Sequence, residues 1–168
     1  MHDLQAMPAL PGLNGIEQHC WTQFLDCSLN LVAAVNICLK GAHDLSIRDV
    51  LLLELLSQPN RREHRLCALA EALRVSQGQL STQIRRLEAQ GWITRSPTRG
   101  DPRGILPRIT SEGHKRLHAV METYAQGVRA HYLDQLGREQ MLNLVDSCQR
   151  INESLSTIST RRRLRVAR

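Results

Sequence analysis

Residues 66–109 are punctuated in a way that few architectures can accommodate. Leu66, Leu69, Ala70 and Leu73 share one face of a helix only about two turns long, which is too short to be stable alone. Arg74-Val75-Ser76 turns the chain, and Ser76 can cap a second helix running to about residue 90. In that helix Leu80, Ile84 and Leu87 fall at i, i+4 and i+7, a narrow inward stripe. Gly91 is a helix-stop residue. Two β-prone runs, 92–95 and 105–109, then flank the turn-rich loop Pro97-Thr98-Arg99-Gly100-Asp101-Pro102. Two short helices and a hairpin cannot bury themselves, so the rest of the chain must supply the other side of the core.

The rest reads as helix. Pro8, Pro11, Gly12 and Gly15 mark a flexible arm over 1–15. Ile16, Cys20, Phe24, Cys27, Leu31, Val35 and Cys38 recur every three or four residues, predicting a long amphipathic helix that ends near Gly41. Ser46 with Asp49 three residues on is a capping-box start, and the run 50–56 after it is apolar nearly all round, which predicts a central helix ended by Pro59-Asn60. Thr110 is the expected N-cap of a long helix reaching about 136 and stopped by Gly137. A last helix carries Met141, Leu144, Val145, Cys148, Ile151 and Leu155 on one face. The order predicts a mainly α chain of α+β winged-helix type, with about six helices and a two-stranded β-hairpin. A dimerisation helix over 16–44, a winged helix-turn-helix over 45–109, dimerisation helices over 110–160 and a basic tail over 161–168 are the expected parts. The outer helices are more apolar than a 168-residue monomer needs, so a helical layer shared by a homodimer is their natural use.

Charge narrows the function. The formal net charge is +6, yet it is unevenly spread. Residues 61–108 hold ten basic against four acidic side chains, and 161–168 hold five Arg and no acid, while the remainder is mildly acidic. A positive block inside the chain invites a polyanion partner; the Arg tail reads as a solvated end. Aromatic residues are only 3%, too few for a base-stacking platform. No G-x-S-x-G elbow, P-loop, H-E-x-x-H or dinucleotide-binding glycine pattern is present, so no enzyme is expected. The start lacks a basic and apolar leader, and no unbroken apolar run approaches 18 residues. Five cysteines without a CxxC pair fit reduced thiols. A cytoplasmic location, with no membrane contact and no cofactor, is expected.

The outer face of the 76–90 helix collects Gly78, Ser81, Thr82, Arg85 and Arg86, with Gln79 and Gln83 at its shoulder and Ser76 and Gln77 at its start. A major-groove recognition helix needs this division: an apolar stripe to hold it, then donors and acceptors for base edges and phosphates. Gln can pair with adenine and Arg with guanine. The hairpin adds Arg95, Arg99, Asp101 and Arg103, and an Arg at such a tip can enter the minor groove. Asp101 can orient Arg103 by a charge-assisted hydrogen bond. A surface helix and a solvated charged loop are the bland alternatives; their joint occurrence in the internal basic block favours double-stranded DNA.

LxxLAEALRVSQGQLSTQIRRLEAQGWITR followed by DPRGILPRITSEG resembles the MarR family of winged helix-turn-helix transcription factors. The most specific signals are Asp101-x-Arg103 and Ile109-Thr110-x-x-Gly113, and the layout fits roughly 16–155. The resemblance implies a homodimer on a palindromic operator, usually a repressor released by a small ligand or by oxidation. It makes 76–90 the recognition helix and Arg103 the wing-tip arginine, oriented by Asp101. Two departures stand out: Pro107 in the second strand, where proline removes a ladder donor, and Arg65-Leu66-Cys67 in place of a capped helix start. For the trigger, the layout puts Trp21, His43 and Arg48 where the dimer layer meets the DNA-binding lobe, and a cation there suits a small, aromatic-acid-like effector. Cys20 is the thiol-sensing alternative, although residues 1–60 contain no Tyr to activate it. The seven His are scattered, and no metal site is expected. A winged helix used only for protein contact remains the other alternative.

Overall fold

The structure is a computed structural model that describes residues 9–59, 65–98 and 101–166, with the side chains of all of these except 97–98, 101–105 and 157–166. Six α-helices and one two-stranded antiparallel sheet occur among these residues: α1 (Gly15–His43), α2 (Ile47–Ser57), α3 (Leu66–Ala72), α4 (Gln77–Ala89), β1 (Ile93–Thr98), β2 (Asp101–Ile109), α5 (Ser111–His131) and α6 (Arg138–Val166). A 3-10 turn, Leu133–Gln135, follows α5. The chain divides into two compact units, 1–128 and 129–168. The second consists of the end of α5, the 3-10 turn and α6, whose Leu142, Val145, Ile151 and Leu155 are exposed.

The first unit holds the core and everything that positions the candidate site. Its centre is α2, where Val50, Leu52, Leu53 and Leu56 are buried, as the apolar run predicts. Leu69 and Ala70 from α3, Leu80, Ile84 and Leu87 from α4, Ile93 from β1 and Val120 from α5 close around it. α2 begins on the predicted capping box: Ser46 accepts from the Asp49 N–H while the Asp49 carboxylate accepts from the Ser46 N–H. α4 begins on a second box, Ser76 with Gln79, and Gly91 leaves it at a φ of +75°.

α1 differs from its sequence expectation in two respects. It runs through Gly41 to His43, and Asp44 rather than glycine takes the left-handed closing position at a φ of 54°. A glycine whose neighbours on both sides still make helical hydrogen bonds weakens a helix without ending it. The predicted apolar stripe is buried only toward its C-terminal end, at Val35 and, one turn on, Leu39. Ile16, Cys20, Phe24 and Cys27 are exposed, and so are Leu29, Val32 and Ile37. By length and composition alone α1 is apolar enough to cross a bilayer. Its C-terminal half is nevertheless built into the lobe, where the Asn36 side chain accepts from the Ile47 N–H at 2.8 Å.

The hairpin absorbs Pro97 and Pro107 without losing ladder bonds, contrary to the expectation for Pro107. Ile93 pairs with Ile109, Arg95 with Pro107 and Pro97 with Ile105. The Thr110 N–H donates to the Trp92 carbonyl at 3.0 Å, so 92–110 is a hydrogen-bonded pair. Alternation along an antiparallel ladder then places 93–109, 95–107 and 97–105 in the non-hydrogen-bonded row, where each N–H points away from the partner strand. Pro97 and Pro107 fall in that row. Pro107 is moreover fully buried, and with Leu66, Ile84, Ser81 and Arg95 it lines a cleft behind α4.

Candidate nucleic-acid interface

α4 is held by its three buried apolar residues, and its opposite face is presented outward. Gln77, Gly78, Gln79, Thr82 and Arg85 are exposed, while Ser81 is half-buried. A Cβ on Gly78 would meet nothing within 4 Å, so no packing inside the chain requires a glycine there. The Arg85 guanidinium lies back along the helix, donating to the Ser81 carbonyl and the Thr82 hydroxyl, each at 3.4 Å.

Gln79, Gln83 and Arg86, also expected to face DNA, have partners within the chain. Gln79 is the return half of the capping box: its Oε1 accepts from the Ser76 N–H at 3.0 Å. Gln83 donates from Nε2 to Asp49 Oδ1 at 3.0 Å. Arg86 donates to Asp49 Oδ2 at 2.5 Å. Asp49 is only 2% exposed, and the same Oδ2 also accepts from the Ser46 N–H and hydroxyl, at 2.8 and 2.7 Å. One buried carboxylate therefore caps α2 and grips the middle of α4 from behind. Four donors converge on it, three at Oδ2 and one at Oδ1.

Asp49 is the residue that sequence reasoning missed. It was legible as the cap of α2 but not as a partner of α4, because 34 and 37 positions separate it from Gln83 and Arg86. The Gln79 role had a readable signal in Ser76-x-x-Gln79, a capping-box spacing.

At the hairpin, Arg95 pairs with Glu88 near the end of α4 at 2.5 Å. The hydrogen bond that Arg95 donates to the Glu88 carboxylate, helped by that group's charge, raises the Arg95 pKa further against a smaller opposing desolvation. Arg95 thus stays cationic and tied to α4 near the base of the hairpin. Arg99 lies outside the described residues. Asp101 and Arg103 lie on β2, and their side chains are outside the described set.

The hairpin base is joined to α5 through Trp92, Thr110 and Gly113. The Thr110 hydroxyl donates to the Gly91 carbonyl at 2.7 Å and accepts from the Gly113 N–H at 2.9 Å. A Cβ on Gly113 would lie 2.2 Å from the Trp92 carbonyl oxygen and 2.7 Å from Ile109 Cγ1. Only glycine lets α5 start this close to the exit of α4.

The residues expected to hold an effector are not gathered within one chain. Trp21 and His43 are 22 residues apart on the same helix, about 33 Å along its axis. Trp21 packs beside Phe24 with ring centroids 6.2 Å apart. His43 Nε2 lies 2.8 Å from the Thr123 hydroxyl, and Arg48 is exposed at the start of α2. Cys20 is exposed on α1. Among the described residues no three His, Cys, Asp or Glu side chains converge as metal ligands.

Comparison with known proteins agrees with this geometry. The MarR family model matches residues 45–105, which span α2, α3, α4, β1 and the first part of β2. The HTH-type transcriptional regulator PecS of Dickeya dadantii (strain 3937) is 31% identical over 61 residues, covering 36% of this chain and 37% of PecS. The chain thus matches little more than a third of that relative's length. Two Streptomyces coelicolor structures match far more of it. Sco3205, a MarR family transcriptional regulator solved in complex with DNA, superposes with a TM-score of 0.78 at 26% identity, over 85% of this chain and 93% of that one. AbsC, another MarR family transcriptional regulator, gives 0.77 at 27% identity over 88% and 99%. The MarR model thus falls on the helix-turn-helix lobe, and over most of its length the chain has a fold similar to that of MarR family winged-helix transcriptional regulators.

Proposed function

We propose that this chain is a homodimeric, sequence-specific DNA-binding regulator, acting as a repressor at a palindromic operator. The carrying observation is α4: three apolar residues anchor it, a buried carboxylate grips it from behind, and Gln77, Gly78, Thr82 and Arg85 stand exposed on the other side. In this reading α4 enters the major groove and the 96–104 tip enters the minor groove, with Arg103 at its end. The DNA complex of Sco3205 supports it through a likeness that spans most of both chains. Gln77, Thr82 and Arg85 are the base-reading candidates, whereas Gln79, Gln83 and Arg86 set the pose of the helix.

The exposed apolar residues of α1 support the dimer, since a monomer would leave Ile16, Phe24, Leu29, Val32 and Ile37 in water. Light scattering is expected to give about twice 19.0 kDa; a stable monomer, or a chain recovered with membranes, overturns this part. A small aromatic-acid-like effector is the proposed releasing signal. Trp21 can join His43 and Arg48 in one site only if the two ends of α1 come from different chains. Undiminished binding of an identified effector by Arg48→Ala, measured by calorimetry, removes that residue from the site.

Selection of duplexes from a random pool tests the core of the proposal. Bound duplexes should show two related half-sites. If about six phosphates are neutralised, affinity should fall about a thousandfold between about 50 and 200 mM salt. No specific duplex at any salt concentration leaves a protein-contact module instead. Arg103→Ala is expected to weaken binding about tenfold and to erase any preference for A·T-rich flanks. Unchanged affinity and flank preference sink the minor-groove assignment.

A further inference from the structure

Arg116, on the second turn of α5, sits where three elements meet. Its Nη2 donates to the carbonyl of His43, the last residue of α1. That carbonyl is one of the orphan acceptors of a helix C-terminus, where the helix dipole favours a cation. The guanidinium carbon lies 5.2 Å from the centroid of the Trp92 ring, within cation–π range. Trp92 is itself pinned by its main chain, with its N–H on the Leu87 carbonyl of α4 and its carbonyl on the Thr110 N–H. Seven residues further along the same face of α5, Thr123 holds the His43 ring. The end of α1 is therefore fastened to α5 twice, and only the Arg116 fastening continues to the junction between α4 and β1.

The Arg116 Nε is buried and has no hydrogen-bond partner among the described residues, an arrangement that costs folding free energy. An apolar side chain of similar length would avoid that cost but would leave the His43 carbonyl without this donor. A planar cation stands where it touches the terminal carbonyl of the helix proposed for dimerisation and the residue from which the hairpin springs.

We propose that Arg116 is a positioning residue that fixes the base of the hairpin against the C-terminal end of α1 and so sets how the hairpin meets DNA. The proposal rests on the DNA-binding reading above. Lysine can keep the charge and reach a carbonyl but presents no flat face to the indole, whereas methionine keeps only the stem.

The test uses the full chain in a Trp21→Phe background, which leaves Trp92 as the only tryptophan. The wild-type residue, Arg116→Met and Arg116→Lys are compared by thermal unfolding, by tryptophan emission, and by binding to the duplex that the wild-type chain selects from a random pool. Arg116→Met, which loses the bond to His43 but also the unpartnered Nε, is expected to unfold within a few degrees of the wild-type residue and to show altered Trp92 emission without DNA. It is also expected to bind about tenfold more weakly, with a log–log salt slope shallower by about one to two as hairpin contacts to phosphate are lost. Arg116→Lys should recover part of that affinity. The proposal is overturned if Arg116→Met binds with unchanged affinity and slope, if its loss of affinity only tracks a loss of stability, or if lysine is no better than methionine. Failure of the wild-type chain to capture any duplex overturns the DNA-binding reading itself. The emission change without DNA separates that case, because it reports the Arg116–Trp92 contact alone.

Discussion

Asp49→Ala is expected to lower the unfolding midpoint by roughly 6–12 °C and to weaken binding to a selected duplex at least about tenfold. The stability loss has two parts. Removing the reciprocal cap of α2 costs about 1 kcal/mol. Losing the charge-assisted bonds from Gln83 and Arg86 adds about 1.5–3 kcal/mol. Arg86 is 43% exposed and regains water when its partner goes, so the total stays near about 3 kcal/mol rather than that of a sealed ion pair. For a chain of this size that corresponds to the stated shift. The binding loss has a separate origin. With Asp49 gone, nothing behind α4 holds Gln83 and Arg86, and the helix can roll on its apolar stripe. Asp49→Asn should fall between the two, since an amide keeps the shape but accepts at one atom only. A double-mutant cycle with Arg86→Ala should show coupling above about 0.5 kcal/mol. Full binding by a folded Asp49→Ala protein would show that α4 needs no such grip.

Gly113→Ala carries a comparable cost for a different reason. The added methyl would lie 2.2 Å from the Trp92 carbonyl oxygen, a backbone atom that also accepts from Thr110. Neither side has a flexible end to move aside, so α5 and the hairpin base must separate. Overpacking of this kind costs about 3 kcal/mol, and the unfolding midpoint should fall by on the order of 10 °C. A circular-dichroism melt checks it. Gly78→Ala is the control, because a Cβ there meets nothing within the chain. Alanine should even favour the helix by about 1 kcal/mol. If Gly78→Ala also weakens duplex binding while raising stability, the space beside Gly78 is being used by the DNA.

Much of the helix-turn-helix lobe was legible because its signals are local. Ser46-x-x-Asp49, Ser76 and Gly91 are short-range instructions, and the structure places helix starts and a stop at those points. Leu80, Ile84 and Leu87 mark the buried stripe of α4 by spacing alone. Pro107 was misjudged because its cost depends on the parity of a ladder set by Trp92 and Thr110. Gly41 was misjudged as a stop because one weak helix former cannot end a helix whose next turn still packs.

The sequence by itself determined the order of elements, the two faces of α4 and the site of the internal positive charge, since each follows from periodicity, capping chemistry and composition within a few residues. Only the tertiary structure decided which polar groups on α4 are spent inside the chain. Gln83 and Arg86 look as available as Thr82 and Arg85 on a helical wheel, yet a buried carboxylate more than thirty positions away takes the first pair, while among the described residues Arg85 bonds only to Ser81 and Thr82 of its own helix. Arg116 is the same lesson from α5. Its neighbours on the chain do not reveal that it meets His43 and Trp92, because burial and hydrogen-bond saturation belong to the packed assembly of helices and not to any one of them.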